Sequence, residues 1–304
     1  MNIELANELH WDKITMDRCD FRADVTADIL RLDKLHPVVS GNKWFKLKNY
    51  LEEAMRLGYK TVLSFGGAYS NHIVAVAYAT KLSEIQSIGI IRGEKPETLS
   101  AALTDAMNAG MEIGYLSREE YRRKDDPELL NKIREQWGDP YIIPEGGFGI
   151  PGVRGAEEML ANIDITPYSH IVCAVGTGTM LAGLANVSLP GQTLIGISVM
   201  KGNFELKNQV NSLVSDPEIQ DRILIHQNYH FGGYAKQDDK LISFMNDFYL
   251  RSGIPTDFVY TAKMMFGIEE LCTEGQIAKG SNILVIHSGG LQGNGSLLPG
   301  VLSF

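Results

Sequence analysis

The chain reads as an α/β protein of two domains, each an open, mostly parallel twisted sheet with helices on both faces. Three observations point there. From Thr61 onward short apolar runs alternate with segments of helical period, which is the signature of βαβ units. Glycine and hydroxyl turns fall where the apolar runs end, as at Gly66-Gly67 and Gly176-Thr177. After Pro144-Glu145-Gly146-Gly147 the same alternation starts again.

Before the first strand, apolar residues recur at helical spacing from Phe45 to Leu57, and Gly58 supplies the stop. The first unit follows. It has strands at Thr61–Phe65, Gln86–Ile91, Met111–Tyr115 and Tyr141–Ile143, with helices at Asn71–Leu82, Thr98–Asn108 and Pro127–Trp137 between them. The second unit has strands at His170–Val175, Leu194–Val199, Arg222–His226 and Ile283–His287. Its helices are expected at Val153–Asn162, Met180–Val187, Lys240–Arg251 and Lys263–Glu274. Gly191, Gly202 and Pro217 punctuate loops.

Composition narrows the function classes. With 304 residues, 44% hydrophobic and 21% charged, the chain has ample material for a packed core. A formal charge of −9 argues against a nucleic-acid surface, which needs clustered Lys and Arg, and leaves a small molecule as the expected partner. Cys19, Cys173 and Cys272 are widely spaced without a CxxC pair, so neither a disulfide framework nor a metal site is expected and a reducing cytoplasm fits. Met1 to Lys13 contains no apolar signal region, and no apolar run approaches membrane-spanning length.

The stretch Ser40-Gly41-Asn42-Lys43-Trp44-Phe45-Lys46-Leu47 puts Lys43 at or just before a helix N-terminus. The positive end of a helix disfavours an ammonium and favours a neutral, nucleophilic amine, which can hold an aldehyde covalently. Taken alone, such a lysine is more often one of several on a solvated helix face. The turns at strand ends change those odds, because ligands of open α/β sheets bind beyond the strand C-termini. Ser70-Asn71-His72 either caps the next helix or presents N–H groups and a hydroxyl to a carboxylate. Gly176-Thr177-Gly178-Thr179 is either a plain strand-to-helix turn or a cradle for a phosphate monoester. No Walker lysine follows it, and Leu181 replaces the third glycine of GxGxxG. Tyr260-Thr261 and His287-Ser288-Gly289-Gly290 complete a constellation suited to a phosphorylated cofactor bound through an aldehyde.

In this order, Gly41-Asn42-Lys43, Ser70-Asn71-His72, Pro144–Gly147, Gly176–Thr179, Tyr260-Thr261 and His287–Gly290 resemble the 1-aminocyclopropane-1-carboxylate deaminase and D-cysteine desulfhydrase family. Those are pyridoxal-phosphate enzymes of the tryptophan synthase β-like fold, and the likeness runs from about Arg31 to Gly290. The resemblance implies that Lys43 holds pyridoxal 5′-phosphate, that Ser70, Asn71 and His72 meet the substrate carboxylate and the cofactor, and that Gly176, Thr177, Gly178 and Thr179 hold the phosphate. Tyr234 and Tyr260 would flank the reacting carbon. It further implies a homodimer, and a smaller domain at 47–144 inserted into a larger one made of 1–46 and 145–304.

Within that family, the deaminases place Glu after the tyrosine and Leu before the Gly-Gly pair. Here Thr261 and Ser288 stand there, as in the desulfhydrase branch. Met180 in the phosphate loop and Ser40 before the lysine are further departures. The expected reaction is α,β-elimination from D-cysteine to pyruvate, ammonia and hydrogen sulfide. Deamination of 1-aminocyclopropane-1-carboxylate to α-ketobutyrate is the alternative, as is a ligand-binding relative without turnover.

Overall fold

The computed structural model describes residues 9–21, 24–39 and 41–304. Ser40 and residues 1–8 of the Met1–Lys13 segment lie outside the described residues.

Among the described residues ten strands form two sheets. They are β1 (Met16–Phe21), β2 (Val25–Arg31), β3 (Thr61–Gly66), β4 (Gln86–Arg92), β5 (Glu112–Leu116), β6 (Tyr141–Ile143), β7 (His170–Val175), β8 (Thr193–Ser198), β9 (Ile223–His226) and β10 (Asn282–His287). The larger sheet has the order β1-β2-β10-β7-β8-β9, and the smaller β5-β4-β3-β6. All neighbours pair in parallel except β1 with β2, an antiparallel hairpin that closes one edge. That hairpin lies ahead of every strand anticipated from the sequence.

The longer helices are α1 (Asn42–Arg56), α2 (Asn71–Leu82), α3 (Ala101–Asn108), α4 (Pro127–Trp137), α5 (Ile150–Glu157), α6 (Thr179–Asn186), α7 (Leu206–Asn211), α8 (Asp239–Ser252) and α9 (Thr261–Thr273). Two of them, α2 and α4, coincide with the expected bounds, because Ser70 and Asp126 cap them and Gly138, left-handed at φ 75°, ends α4. By contrast α5 begins at Ile150 rather than Val153. Pro151 sits in its first turn, where its missing N–H has no helical partner to lose, and the chain tightens into a 3-10 turn at Glu158–Leu160.

Side-chain alternation along the central strands sorts the core into layers. In β7, Ile171, Cys173 and Val175 join the cluster built on α1, α5 and α6. Val172 and Ala174 point the other way, onto Phe248 of α8 and Met264, Met265 and Ile268 of α9. Leu63, Phe65, Ile88 and Ile90 of the small sheet pack on Tyr121 and on Ile133 of α4. Val62 and Ile91 instead join the first cluster, with Ile73 and Val76 of α2. One apolar core therefore runs continuously between the two sheets, with α1 and α2 inside it.

Close backbone approaches lock α1 into place. A Cβ on Gly155 would lie 1.7 Å from the Phe45 carbonyl oxygen, so α5 can touch α1 only as glycine. The Tyr50 hydroxyl donates to the Phe148 carbonyl at 2.5 Å, and Asn49 Nδ2 donates to the Pro151 carbonyl at 3.0 Å.

Candidate active site

Each sheet has one place where successive connections leave in opposite directions. In the small sheet it lies between β3 and β6, and in the large sheet between β7 and β10. Ligands bind at such switch points because the diverging loops leave a crevice beyond the strand C-termini. Here the two crevices merge into one cavity of about 500 Å³. Its wall includes Ser70, Asn71, His72, Glu145 and Gly146 from the small-sheet side, and Gly176, Thr177, Gly178, Ser288, Gly289 and Gly290 from the large-sheet side.

Lys43 enters this cavity from the first turn of α1. The helix start is fixed by Gly41, at φ 62° and ψ −138°, where a Cβ would come within 1.9 Å of the Ser288 carbonyl oxygen. The Asn42 N–H donates to that same oxygen at 3.3 Å, so α1 is docked onto the loop after β10. Lys43 Nζ donates to Asn42 Oδ1 at 2.9 Å and stands 5.6 Å from the centre of the Tyr260 ring. Burial lowers its pKa to about 8, against the opposing pull of Asp257. A substantial neutral fraction near physiological pH is what a carbonyl-trapping amine requires.

Tyr260 and Tyr234 meet edge to face, with ring centres 6.0 Å apart and planes at 72°. Burial pushes the Tyr234 phenol up to about 12 and the Tyr260 phenol well above its usual value, so both stay protonated. His72, 3% exposed, is explained by its neighbours. Because the Ser64 hydroxyl donates to the Ile143 carbonyl at 2.8 Å, it accepts from His72 Nε2, also at 2.8 Å. The imidazole therefore carries its proton on Nε2 and leaves a bare Nδ1, which is buried without a protein partner. Burial, then Lys43 and Lys46, push the His72 pKa down to about 3, so the ring is a neutral acceptor.

Two of the expected residues stand behind the wall. Thr179 is fully buried, with its hydroxyl 3.1 Å from that of Thr177. Thr261 is also fully buried. Its hydroxyl donates to Asp257 Oδ1 and accepts from the Asp257 N–H, both at 2.7 Å. It is the first residue of α9 after the cap position, Tyr260, rather than the cap itself. The Asp257 carboxylate, fully buried, takes further hydrogen bonds from the N–H groups of Val259, Tyr260 and Thr261, each at 2.9 Å.

Sequence reasoning missed Lys46, Arg92, Lys124 and Glu145, all on the wall. Lys46 is the most telling. It lies one turn beyond Lys43, is 5% exposed, and burial with the neighbouring Lys43 charge drives its pKa well down. Helical periodicity could have found it, since positions three apart share a face.

Residues 26–289 match the pyridoxal-phosphate-dependent enzyme family. The chain belongs to that family. A protein of Thermotoga maritima provisionally named 1-aminocyclopropane-1-carboxylate deaminase is 32% identical over 282 residues, covering 87% of this chain and 88% of its own length. A Salmonella paratyphi C D-cysteine desulfhydrase is 28% identical over 282 residues, covering 86% of each chain. The crystal structure of a homologue of the deaminase superposes with a TM-score of 0.77 at 24% identity, over 97% of both chains, which shows a shared fold. Within the pyridoxal-phosphate enzymes this chain thus belongs to the deaminase and desulfhydrase group and is a lyase or deaminase.

The cavity fits the cofactor of this pyridoxal-phosphate enzyme. A Cβ on Gly176 would fill the space between loop and ring, in ordinary contact at 3.5 Å with Tyr260 Cε1, and glycine leaves that space to the cavity. Gly178, left-handed at φ 86°, starts α6 and turns the loop N–H groups toward a helix N-terminus suited to phosphate. Lys46 is a buried amine whose charged form burial and Lys43 disfavour and the Cys173 thiol favours, so a phosphate here would supply the anion that restores its charge. Among the described residues no cluster of metal-ligating side chains is found.

Proposed function

We propose that the protein catalyses α,β-elimination from a small β-substituted amino acid, with D-cysteine preferred. The observation that supports it best is the pairing of a buried, partly neutral Lys43 with a wall that offers the hydroxyls of Tyr260 and Ser288, its carboxylates being those of Asp125 and Glu145. Behind that wall Asp257 is already saturated with four hydrogen bonds. Bound pyridoxal phosphate supplies an electron sink for the carbanion at the substrate α-carbon. Neutral hydroxyls at that wall would leave the sink weak, which suits a good leaving group such as thiolate better than the unactivated ring of the cyclopropane acid.

The chain's residues then have these parts. Lys43 holds the cofactor and, once displaced by substrate, takes the α-proton. The N–H groups at the start of α2, with the Ser70 hydroxyl and the Asn71 amide, bind and orient the α-carboxylate. Gly176, Thr177 and Gly178, with Lys46, whose ammonium form the phosphate would restore, hold the phosphate. Tyr234 and Tyr260 wall the reacting carbon from water and keep their protons. Loss of the α-proton and of hydrosulfide, which together depart as hydrogen sulfide, leaves 2-aminoacrylate, which water converts to pyruvate and ammonia.

We take 47–144 to be the smaller inserted domain, since its strands form the separate small sheet. A homodimer in the cytoplasm completes the reading, since closed two-fold pairs are the commonest assemblies of such chains. Among the described residues no helix is long and apolar enough to cross a membrane.

The name of the Thermotoga relative favours the second reading, deamination of the cyclopropane acid. A panel of D- and L-cysteine, D-serine, β-chloro-D-alanine and the cyclopropane acid separates the two, with sulfide, pyruvate and α-ketobutyrate as readouts. Sulfide and pyruvate from D-cysteine are expected. Rapid α-ketobutyrate without sulfide would replace elimination by deamination, and a colourless protein inert toward the whole panel would make it a ligand-binding relative.

A further inference from the structure

Lys263 is fully buried in the first turn of α9, where the helix dipole opposes its charge. A Met of similar length would fill that space without desolvating an ammonium, so the retained amine points to a use. Its Nζ donates to the Gly233 carbonyl oxygen at 2.7 Å. The next residue is Tyr234, whose ring meets Tyr260 at the start of the same helix.

The segment from Tyr229 to Tyr234 lies along α9. Tyr229 and Phe231 pack on Phe266, with ring centres 6.3 and 4.9 Å away, and Gly267 leaves room for the Tyr229 ring. Aromatic contacts of this kind set the approach of the segment but are weakly directional. The turn at Gly232 and Gly233 is closed by its own hydrogen bonds, from the Gly233 N–H to the His230 carbonyl at 3.0 Å and from the Lys236 N–H to the Gly233 carbonyl at 3.1 Å, so what the aromatic contacts leave loose is the placement of this turn as a body on α9. A charge-assisted hydrogen bond fixes both distance and direction.

We propose that Lys263 is a positioning residue: through the Gly233 carbonyl it holds the Tyr234 ring in register with Tyr260 across the cavity from Lys43. The inference rests on the reading that Tyr234 flanks the reacting carbon. Asp257 and Asp238 favour the ammonium, while burial lowers the Lys263 pKa to about 8.

The test is a double-mutant cycle on the cofactor-loaded enzyme with its best substrate. Lys263→Met is expected to lower kcat about 10- to 100-fold, the scale of a misplaced active-site group, with little change in KM and full cofactor absorbance. Lys263→Gln, which keeps a donor for the Gly233 carbonyl, should recover much of that loss. In a Tyr234→Ala background, which removes the positioned ring, Lys263→Met should cost less than about threefold, because the two act as a unit.

Multiplicative losses in the cycle would overturn the proposal, as would equal losses for Met and Gln. Failure of both variants to fold would also overturn it, by making the lysine part of the core. Full activity of Tyr234→Ala would instead sink the role given to Tyr234, which is a separate failure.

Discussion

Lys43 titrates near 8 because burial strips its ammonium of water, and this sets two pH dependences. Only the neutral amine condenses with an aldehyde, so the rate at which apo-protein captures cofactor should climb as pH rises through about 8 and level off above it. Stopped-flow absorbance checks this, and a rate flat from pH 6.5 to 9.5 would contradict it. The same shift links to stability. The unfolded lysine keeps its proton up to its ordinary value of 10.5 while the folded one sheds it near 8. The unfolded state therefore binds more protons in between, and the apo-protein should gain stability as pH rises from about 8, until the buried tyrosines oppose it. Thermal unfolding of the apo-protein across pH 7 to 9.5 measures it.

Thr261 carries the second residue-scale prediction. Thr261→Val strips a donor from Asp257 Oδ1 and an acceptor from the Asp257 N–H inside the core, which should cost about 1–3 kcal/mol by urea unfolding. Thr261→Glu buries a second carboxylate beside Asp257 and should cost more. Lys43, Ser70, Asn71 and the glycine loop were legible in the sequence because each is a local pattern at an element end. Lys46 was accessible through periodicity, whereas the saturation of Asp257 depends on how one turn folds back on itself. That burial is why Thr261, counted from the sequence in the constellation for the cofactor, sits behind the wall.

At the scale of elements, the docking of α1 depends on glycines at two close approaches. Gly41→Ala would drive a Cβ into the Ser288 carbonyl at a φ of 62°, and Gly155→Ala would do the same to the Phe45 carbonyl. Each should cost more than about 2 kcal/mol, and Gly41→Ala should also weaken cofactor retention by tilting Lys43. Gly58→Ala is the control. Its φ is 82° but nothing lies within 4 Å, so only about 1 kcal/mol of left-handed strain is expected. Equal destabilisation in all three would show that close approach is not what fixes α1.

Most strands were readable because β3, β4, β7, β8 and β10 each carry a short apolar run bounded by turns, in segments buried at nearly every position. The β1–β2 hairpin was not. β1 carries Asp17, Arg18 and Asp20 and buries little besides Phe21, so it lacks an apolar signal.

For the whole molecule, the two switch points face one another only because α1 and α2 share one core between the sheets. Two α/β units could be read from the alternation, but their relative placement could not, since it arises from packing between segments far apart in sequence. The proposed homodimer should sediment as about twice the 33.6 kDa chain at micromolar concentration. A monomer under those conditions would refute that assembly.

The account turns on which lysine carries the cofactor, and the fold offers a rival one turn away. Borohydride reduction of the loaded enzyme followed by peptide mapping should place the cofactor mass on Lys43, with Lys46 unmodified. Label on Lys46, or on any lysine other than Lys43, would contradict it.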